Sequence, residues 1–139
     1  MKKNFFDEEI CEQEIGLIPP LVLAYIGDAV YEVYIRQYAI HHCKKNVNDL
    51  HKMSTKFVQA KAQAKIVHVL EEELSEEEWI MVKKGRNQKS SSVPKNACLT
   101  DYKYATGFET LIGYLYLSKN INRLEEVIQR GIEIIEESL

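Results

Sequence analysis

The sequence predicts an all-α domain, and three observations carry that expectation. Six glycines and three prolines in 139 residues leave little room for the many turns of an all-β fold. Apolar residues recur at helical spacing along most of the chain, and no run reads convincingly as a strand. The punctuation is that of helices: a proline pair, asparagines placed as caps, and a serine followed three residues later by glutamate.

The elements follow in order. Proline suits a helix's first turn, so Pro19-Pro20 opens a helix over about residues 21–39. It is apolar nearly all round and is expected at the centre of the fold. Asn48 is expected to cap a second helix running to about residue 74, lysine-rich on one side, with Phe57, Val58, Ile66, Val67 and Leu70 toward the core. Ser75 and Glu78 fit a capping box, which starts a third helix ending near Gly85. Residues 85–96 (GRNQKSSSVPKN) form the one real loop, polar, basic, serine-rich and broken by Pro94. A further helix runs from Asp101 or Tyr104 to Leu117. Asn122 is expected to cap the last, over residues 123–137, with Leu124, Val127, Ile128, Ile132 and Ile135 as its apolar stripe. The reading is six or seven helices and one domain over residues 1–139.

Composition narrows the function classes. Hydrophobic content of 45% with 28% charged residues is that of an ordinary globular protein. Cys11, Cys43 and Cys98 are far apart, odd in number and without a C-x-x-C pair, so reduced thiols and a cytoplasmic location are expected. The apolar run behind Lys2 and Lys3 is only Phe5-Phe6, too short for a signal peptide, and no stretch approaches a membrane span. A net charge of −3 argues mildly against a nucleic-acid partner, but the charge is segregated. Residues 44–65 hold six lysines against Asp49 alone, and residues 83–103 hold six Lys or Arg against Asp101 alone. Such segregation can make a basic surface on an acidic protein.

Two helices contain what a structural helix should not. The apolar run LVLAYIGDAVYEVY is interrupted by Gly27-Asp28. Glycine inside a helix costs about 1 kcal/mol against alanine, and a carboxylate among apolar side chains is costly unless something pairs with it. In FETLIGYLYL the same oddities recur as Glu109 and Gly113, four apart and on one face. One explanation covers both: the glycines let two helices cross closely and bring Asp28 and Glu109 together. Two carboxylates in a dry site cannot both stay ionised without a cation, and oxygen-only ligands favour Mg²⁺ or Mn²⁺. Spacing alone leaves open the other reading, in which each carboxylate caps a helix or pairs with a basic side chain. Arg86, Asn87, Lys89 and Lys95 are suited to phosphates and sugars, the alternative being a solvated loop. His41-His42-Cys43 lacks a second ligand pair at zinc spacing and reads as a helix end, and His51 and His68 have no visible partners. The tyrosines at 25, 31, 34, 38, 102, 104, 114 and 116 read as core and interface.

These residues also carry a family likeness. LAYIGDAVYE (residues 23–32) resembles the signature helix of the ribonuclease III nuclease domain, and FETLIGYLYL (residues 108–117) resembles its second acidic motif. The segments NDLHKMST, AKAQAK, KKGRNQKS, VPKNA and YKYATGFET are similar to the family's short branch, whose members lack a separate RNA-binding domain. The resemblance spans about residues 21–117. It implies an all-α, ribonuclease III-type endonuclease domain in a symmetric dimer, and Mg²⁺-dependent cleavage of double-stranded RNA. It also implies an rRNA precursor of the large subunit as substrate; a ribosomal protein is a candidate for presenting it. Asp28 and Glu109 match two of the four acids that full-length members carry, while Ala24 and Thr106 stand where the other two would be. Glu32 and Asp101 are nearby acids at non-matching positions. A homodimer is expected on independent grounds, since the signature helix is apolar on more faces than one small domain can cover. The competing class is a helical RNA-binding or ribosome-assembly adaptor that binds without cutting. A nucleotide hydrolase would need an acidic cluster such as E-x-x-E or H-D, and none in the sequence is convincing.

Overall fold

The computed structural model of the chain describes residues 4–6, 10–43, 45–89 and 93–139. Lys44 of the basic segment and the loop serines at 90–92 lie outside the described residues. Among the described residues there are seven helices and no strand: α1 (Glu12–Leu17), α2 (Pro20–His42), α3 (Val47–Val58), α4 (Ala60–Leu70), α5 (Glu76–Arg86), α6 (Leu99–Leu117) and α7 (Ile121–Glu137). The all-α expectation holds, and α6 is the axle of the arrangement, packed by α2, α4, α5 and α7.

Burial follows from the apolar spacing. Leu23, Val30, Tyr31 and Ile35 of α2 meet Phe108, Leu111, Ile112 and Leu115 of α6 in one core with Ile66, Val67 and Leu70 of α4. Tyr31 stands edge-on to Phe108, ring centroids 5.0 Å apart, and donates its hydroxyl to the Phe57 carbonyl at 2.8 Å. That bond satisfies a buried phenol, as such sites require. The stripe on α7 is shifted from expectation: Ile134 is buried beside Leu124, Val127, Ile128 and Ile135, while Ile132 is half-buried.

Three boundaries depart from the sequence reading. The helix expected over about residues 48–74 is two helices broken at Gln59, whose backbone is extended at ψ 152°. No glycine or proline marks the break. Gln63, itself buried, donates its side-chain nitrogen to the freed Val58 carbonyl at 2.9 Å, so tertiary packing overrides helix propensity here. The cap of α3 is Asn46, not Asn48: its side chain accepts from the Asp49 amide at 3.0 Å, which places Asn48 inside the helix. The last helix begins before Asn122. Lys119 adopts a left-handed φ of 60°, Lys119 N–H donates to the Tyr116 carbonyl and Asn120 N–H to that of Leu115, both at 3.0 Å. This Schellman closure of α6 delivers the chain directly into α7 at Ile121.

The capping box of α5 has a second use. Ser75 and Glu78 exchange the two expected bonds, at 2.8 and 3.1 Å. The Glu78 carboxylate also takes a bidentate pair from Arg123 of α7, at 2.8 and 3.0 Å. Burial would push the Glu78 carboxyl up, but the Arg123 and Ser75 hydrogen bonds outweigh it and hold the group below the usual range. Breaking this mostly buried pair by Arg123→Ala is expected to lower stability by about 2–3 kcal/mol. The folded carboxyl titrates below its unfolded counterpart, so the pair's contribution is full above the ordinary carboxylate range. It fades as pH falls through the folded value. Thermal melts at pH 7 and pH 3 check this; a loss of only about 0.5 kcal/mol at neutral pH, the scale of an exposed pair, contradicts it.

Candidate active site

The crossing of α2 and α6 is made by backbone. A Cβ added to Gly27 would run into the Glu109 carbonyl oxygen and lie 2.8 Å from the Gly113 nitrogen. A Cβ on Gly113 would run into the Leu23 carbonyl oxygen and lie 3.0 Å from the Ile26 side chain. Each glycine therefore admits the other helix's main chain, the close approach that only a missing side chain allows.

This approach brings Asp28 and Glu109 together, close enough for the Asp28 carboxyl to act on that of Glu109 by hydrogen bonding and charge. Glu109 is half-buried, whereas Asp28 is exposed. The sequence reading, a carboxylate enclosed among apolar side chains, is thus corrected for Asp28: the apolar neighbours on its side of α2, Leu21 and Tyr25, are themselves exposed. Burial, then the hydrogen bond and negative charge of Asp28, push the Glu109 carboxyl up to about 9. At neutral pH the pair is held together by one proton, as two like charges in contact require. The same two carboxyls supply oxygen donors, and a divalent cation in place of the proton satisfies both charges at once. Among the described residues no third His, Cys, Asp or Glu completes a protein-only metal cage. The open side of Asp28 leaves space for water ligands instead. Glu32, one turn further along α2, is ion-paired with Arg36 at 3.2 Å, and Asp101 lies in the first turn of α6, two turns before Glu109.

The basic residues sit at the neighbouring helix end. Arg86 closes α5 and Asn87 caps it, while Lys89 and Lys95 are exposed in the following loop. Gly85 and Gly107 make a second close crossing, of α5 with α6: a Cβ on Gly107 would lie 2.6 Å from the Val82 carbonyl oxygen. Thr110, fully buried and not singled out by sequence, is packed against Gly85 and bonds the Thr106 carbonyl at 2.8 Å and that of Pro20 at 3.2 Å. A polar residue at an apolar helix position was the signal that could have found it. His68, partnerless by sequence, packs its ring on Tyr104 at 4.4 Å.

A cavity of about 600 Å³ opens between α7 and the far half of α2, lined by Tyr34, Tyr38, His41 and Glu125 among others, and neither Asp28 nor Glu109 lines it. Of the carboxyl pair, Asp28 faces open surface while Glu109 is half-buried behind it. The three cysteines are free thiols. Among the described residues no helix is long and apolar enough to cross a membrane.

The chain is similar to known proteins over most of its length. The model of the ribonuclease III domain matches residues 21–120. A Mini-ribonuclease 3 of Clostridium tetani is 50% identical, over 99% of this chain and 92% of that protein. One from a Thermoanaerobacter species is 45% identical, over 94% of this chain and 92% of its own length. The crystal structure of a Fusobacterium nucleatum protein superposes with a TM-score of 0.75 at 31% identity, covering 88% of this chain and 95% of that one. With the match to the domain model running through both glycine crossings and both acids, the chain belongs to the ribonuclease III family of endoribonucleases, in the branch named Mini-ribonuclease 3.

Proposed function

We propose that the chain cleaves double-stranded RNA at the Asp28–Glu109 pair, with Mg²⁺ as the metal and Mn²⁺ as a competent substitute. The observation that carries the reading is the main-chain helix crossing at Gly27 and Gly113, which sets two carboxyls side by side. The family is divalent-metal dependent, and these two side chains are the donors that hold the ion, directly or through water. Bound there, the ion would supply activation of water and stabilisation of charge gathering on the scissile phosphate. Asp28 and Glu109 orient it by their fixed positions on α2 and α6. Arg86, Asn87, Lys89 and Lys95 bind phosphates and sugars beside the cut, and A-form RNA is read mainly by shape and by its minor-groove hydroxyls. The products carry a 5′-phosphate and a 3′-hydroxyl.

A second copy of the chain is the proposed cover for Leu21, Val22 and Tyr25, whose exposures of 44%, 52% and 81% form an apolar face on the helix that bears Asp28. A two-fold enzyme then presents one site to each strand of a duplex. The proposed substrate is an rRNA precursor of the large subunit in the cytoplasm, with a ribosomal protein as a partner that presents it. Cleavage of a ribosomal precursor stem with and without Mg²⁺ is the test. Binding without cutting identifies the adaptor class instead. Lys89→Ala and Lys95→Ala are each expected to weaken binding to all duplexes alike and to reduce its salt dependence. Altered site choice at unchanged affinity would show these lysines to be misassigned.

The proton shared by the pair also predicts a pH dependence. Between about 4.5 and 9 the folded protein keeps a proton that the unfolded chain has released. The metal-free fold therefore loses stability as pH rises through that window. A cation must displace this proton, so metal binding strengthens with pH. The rise in melting temperature on adding Mg²⁺ is expected to be larger at pH 8.5 than at pH 6. An equal rise at both would remove the pair as the binding site.

A further inference from the structure

We propose that Tyr104 is a positioning residue for Arg86, holding its guanidinium in the orientation that meets an RNA phosphate. The inference rests on the phosphate-binding role of Arg86 given above. The guanidinium carbon lies over the Tyr104 ring, 5.6 Å from its centroid, within the reach of a cation–π contact. Its Nε donates to the Asn87 side-chain oxygen at 3.0 Å. Among the described residues no acceptor takes the two terminal nitrogens, so the fork is held from two sides while its outer donors stay available for an anion.

The backbone beneath Arg86 is fixed by the same helix face. A Cβ on Gly107 would lie 3.4 Å from the Arg86 amide nitrogen as well as against Val82, so the last turn of α5 rests directly on α6. Tyr104 lies three residues before Gly107 and shares that face. Gly107 seats the main chain of Arg86, and Tyr104 seats its side chain. The His68 ring from α4 packs on the same phenol, centroids 4.4 Å apart, which ties the ring to a third helix. A free arginine loses its rotamer freedom when it meets a phosphate; one already resting on a ring loses less, and binding gains by that difference.

The test is binding of a short RNA duplex by fluorescence anisotropy, in EDTA to prevent cutting, over a series of salt concentrations. Tyr104→Leu keeps apolar bulk but removes the π face, and is expected to weaken binding about two- to fivefold. Tyr104→Phe keeps the face and should bind as the wild type does. Arg86→Ala should weaken binding further and reduce the salt slope by about one counterion, and the double variant Tyr104→Leu with Arg86→Ala should bind no worse than Arg86→Ala alone. Arg86→Lys, a change outside the core, keeps the charge and loses the guanidinium group that meets the Tyr104 ring and the Asn87 side chain. It is expected to retain the salt slope and lose affinity to the same extent as Tyr104→Leu, which keeps the proposal testable should Tyr104→Leu unfold. Wild-type affinity in Tyr104→Leu or in Arg86→Lys, alongside weakened Arg86→Ala, overturns the positioning role alone, as does a double variant that loses the full sum. Unchanged affinity and slope in Arg86→Ala would remove the phosphate role of Arg86 and, with it, the proposal.

Discussion

Asp28→Asn is expected to lower RNA cleavage on the order of 10³-fold while leaving the protein folded. The substitution keeps shape and most hydrogen bonding but removes the charge proposed to hold a cation. Several kcal/mol of transition-state charge stabilisation, at about 1.4 kcal/mol per decade of rate, gives that size of loss. Stability should hold or rise, because Asp28 and Glu109 are like-charged partners that need a proton to coexist. An amide at position 28 can bond an ionised Glu109 instead. Glu109→Gln should behave alike, and the double variant should be scarcely worse than either single one, since the two groups act as a unit. Measurements of single-turnover cleavage and melting temperature on the same samples distinguish this from a structural role, which reverses the pattern: a lower melting temperature with activity retained in the folded protein. A stable, fully active Asp28→Asn enzyme would sink the mechanism.

Gly27→Ala and Gly113→Ala should be the most damaging changes to the fold. On helix propensity alone each would gain about 1 kcal/mol. The opposing main chain decides the sign. Either methyl group would run into a carbonyl oxygen of the facing helix, and backbone in the middle of two packed helices cannot move aside as a side-chain tip can. A net loss of about 3 kcal/mol or more is expected, read from urea midpoints. Any folded remainder should cleave poorly, because separating the helices separates the carboxyls. Gly16→Ala is the control: nothing lies within 4 Å of an added Cβ there, so propensity acts alone and stability should be unchanged or slightly raised. A Gly27→Ala protein within about 0.5 kcal/mol of wild type, the range of an unremarkable surface change, would contradict the main-chain crossing.

The pairing of Asp28 with Glu109 was legible because both sit where helix chemistry argues against them. A glycine that weakens a helix, beside or one turn from a carboxylate that an apolar run does not want, is a local contradiction with few resolutions. What local reasoning does not reach is the compensation supplied from elsewhere in the chain. The stretch around Gln59 has good helix propensity, yet it breaks because Gln63 can satisfy Val58 and because α4 must turn to pack on α6. Lys119 lacks the glycine that marks a left-handed turn, so the entry to α7 was placed two residues late. The exposure of Asp28 was missed for a related reason: an apolar run signals burial, but not whether the burying surface belongs to the same chain. The Glu78–Arg123 link joins residues 45 apart in sequence, and no local pattern announces such a pair.

The reciprocal seating of Gly27 and Gly113 also restricts motion. Each helix carries a main-chain oxygen in the notch left by the other's missing side chain. Sliding either helix by a turn would replace the notch with a side chain such as Val30 or Tyr116, so no shifted register is available. Local fluctuations can fray the ends of α2 and α6, but they cannot part the helices at the crossing without undoing the core around Phe108 and Leu111. The amides there are expected to belong to the last cooperative unit to exchange hydrogen with solvent. The two carboxyls are thus mounted on main chain expected to open last, and the backbone spacing beneath them should persist for as long as the core is intact.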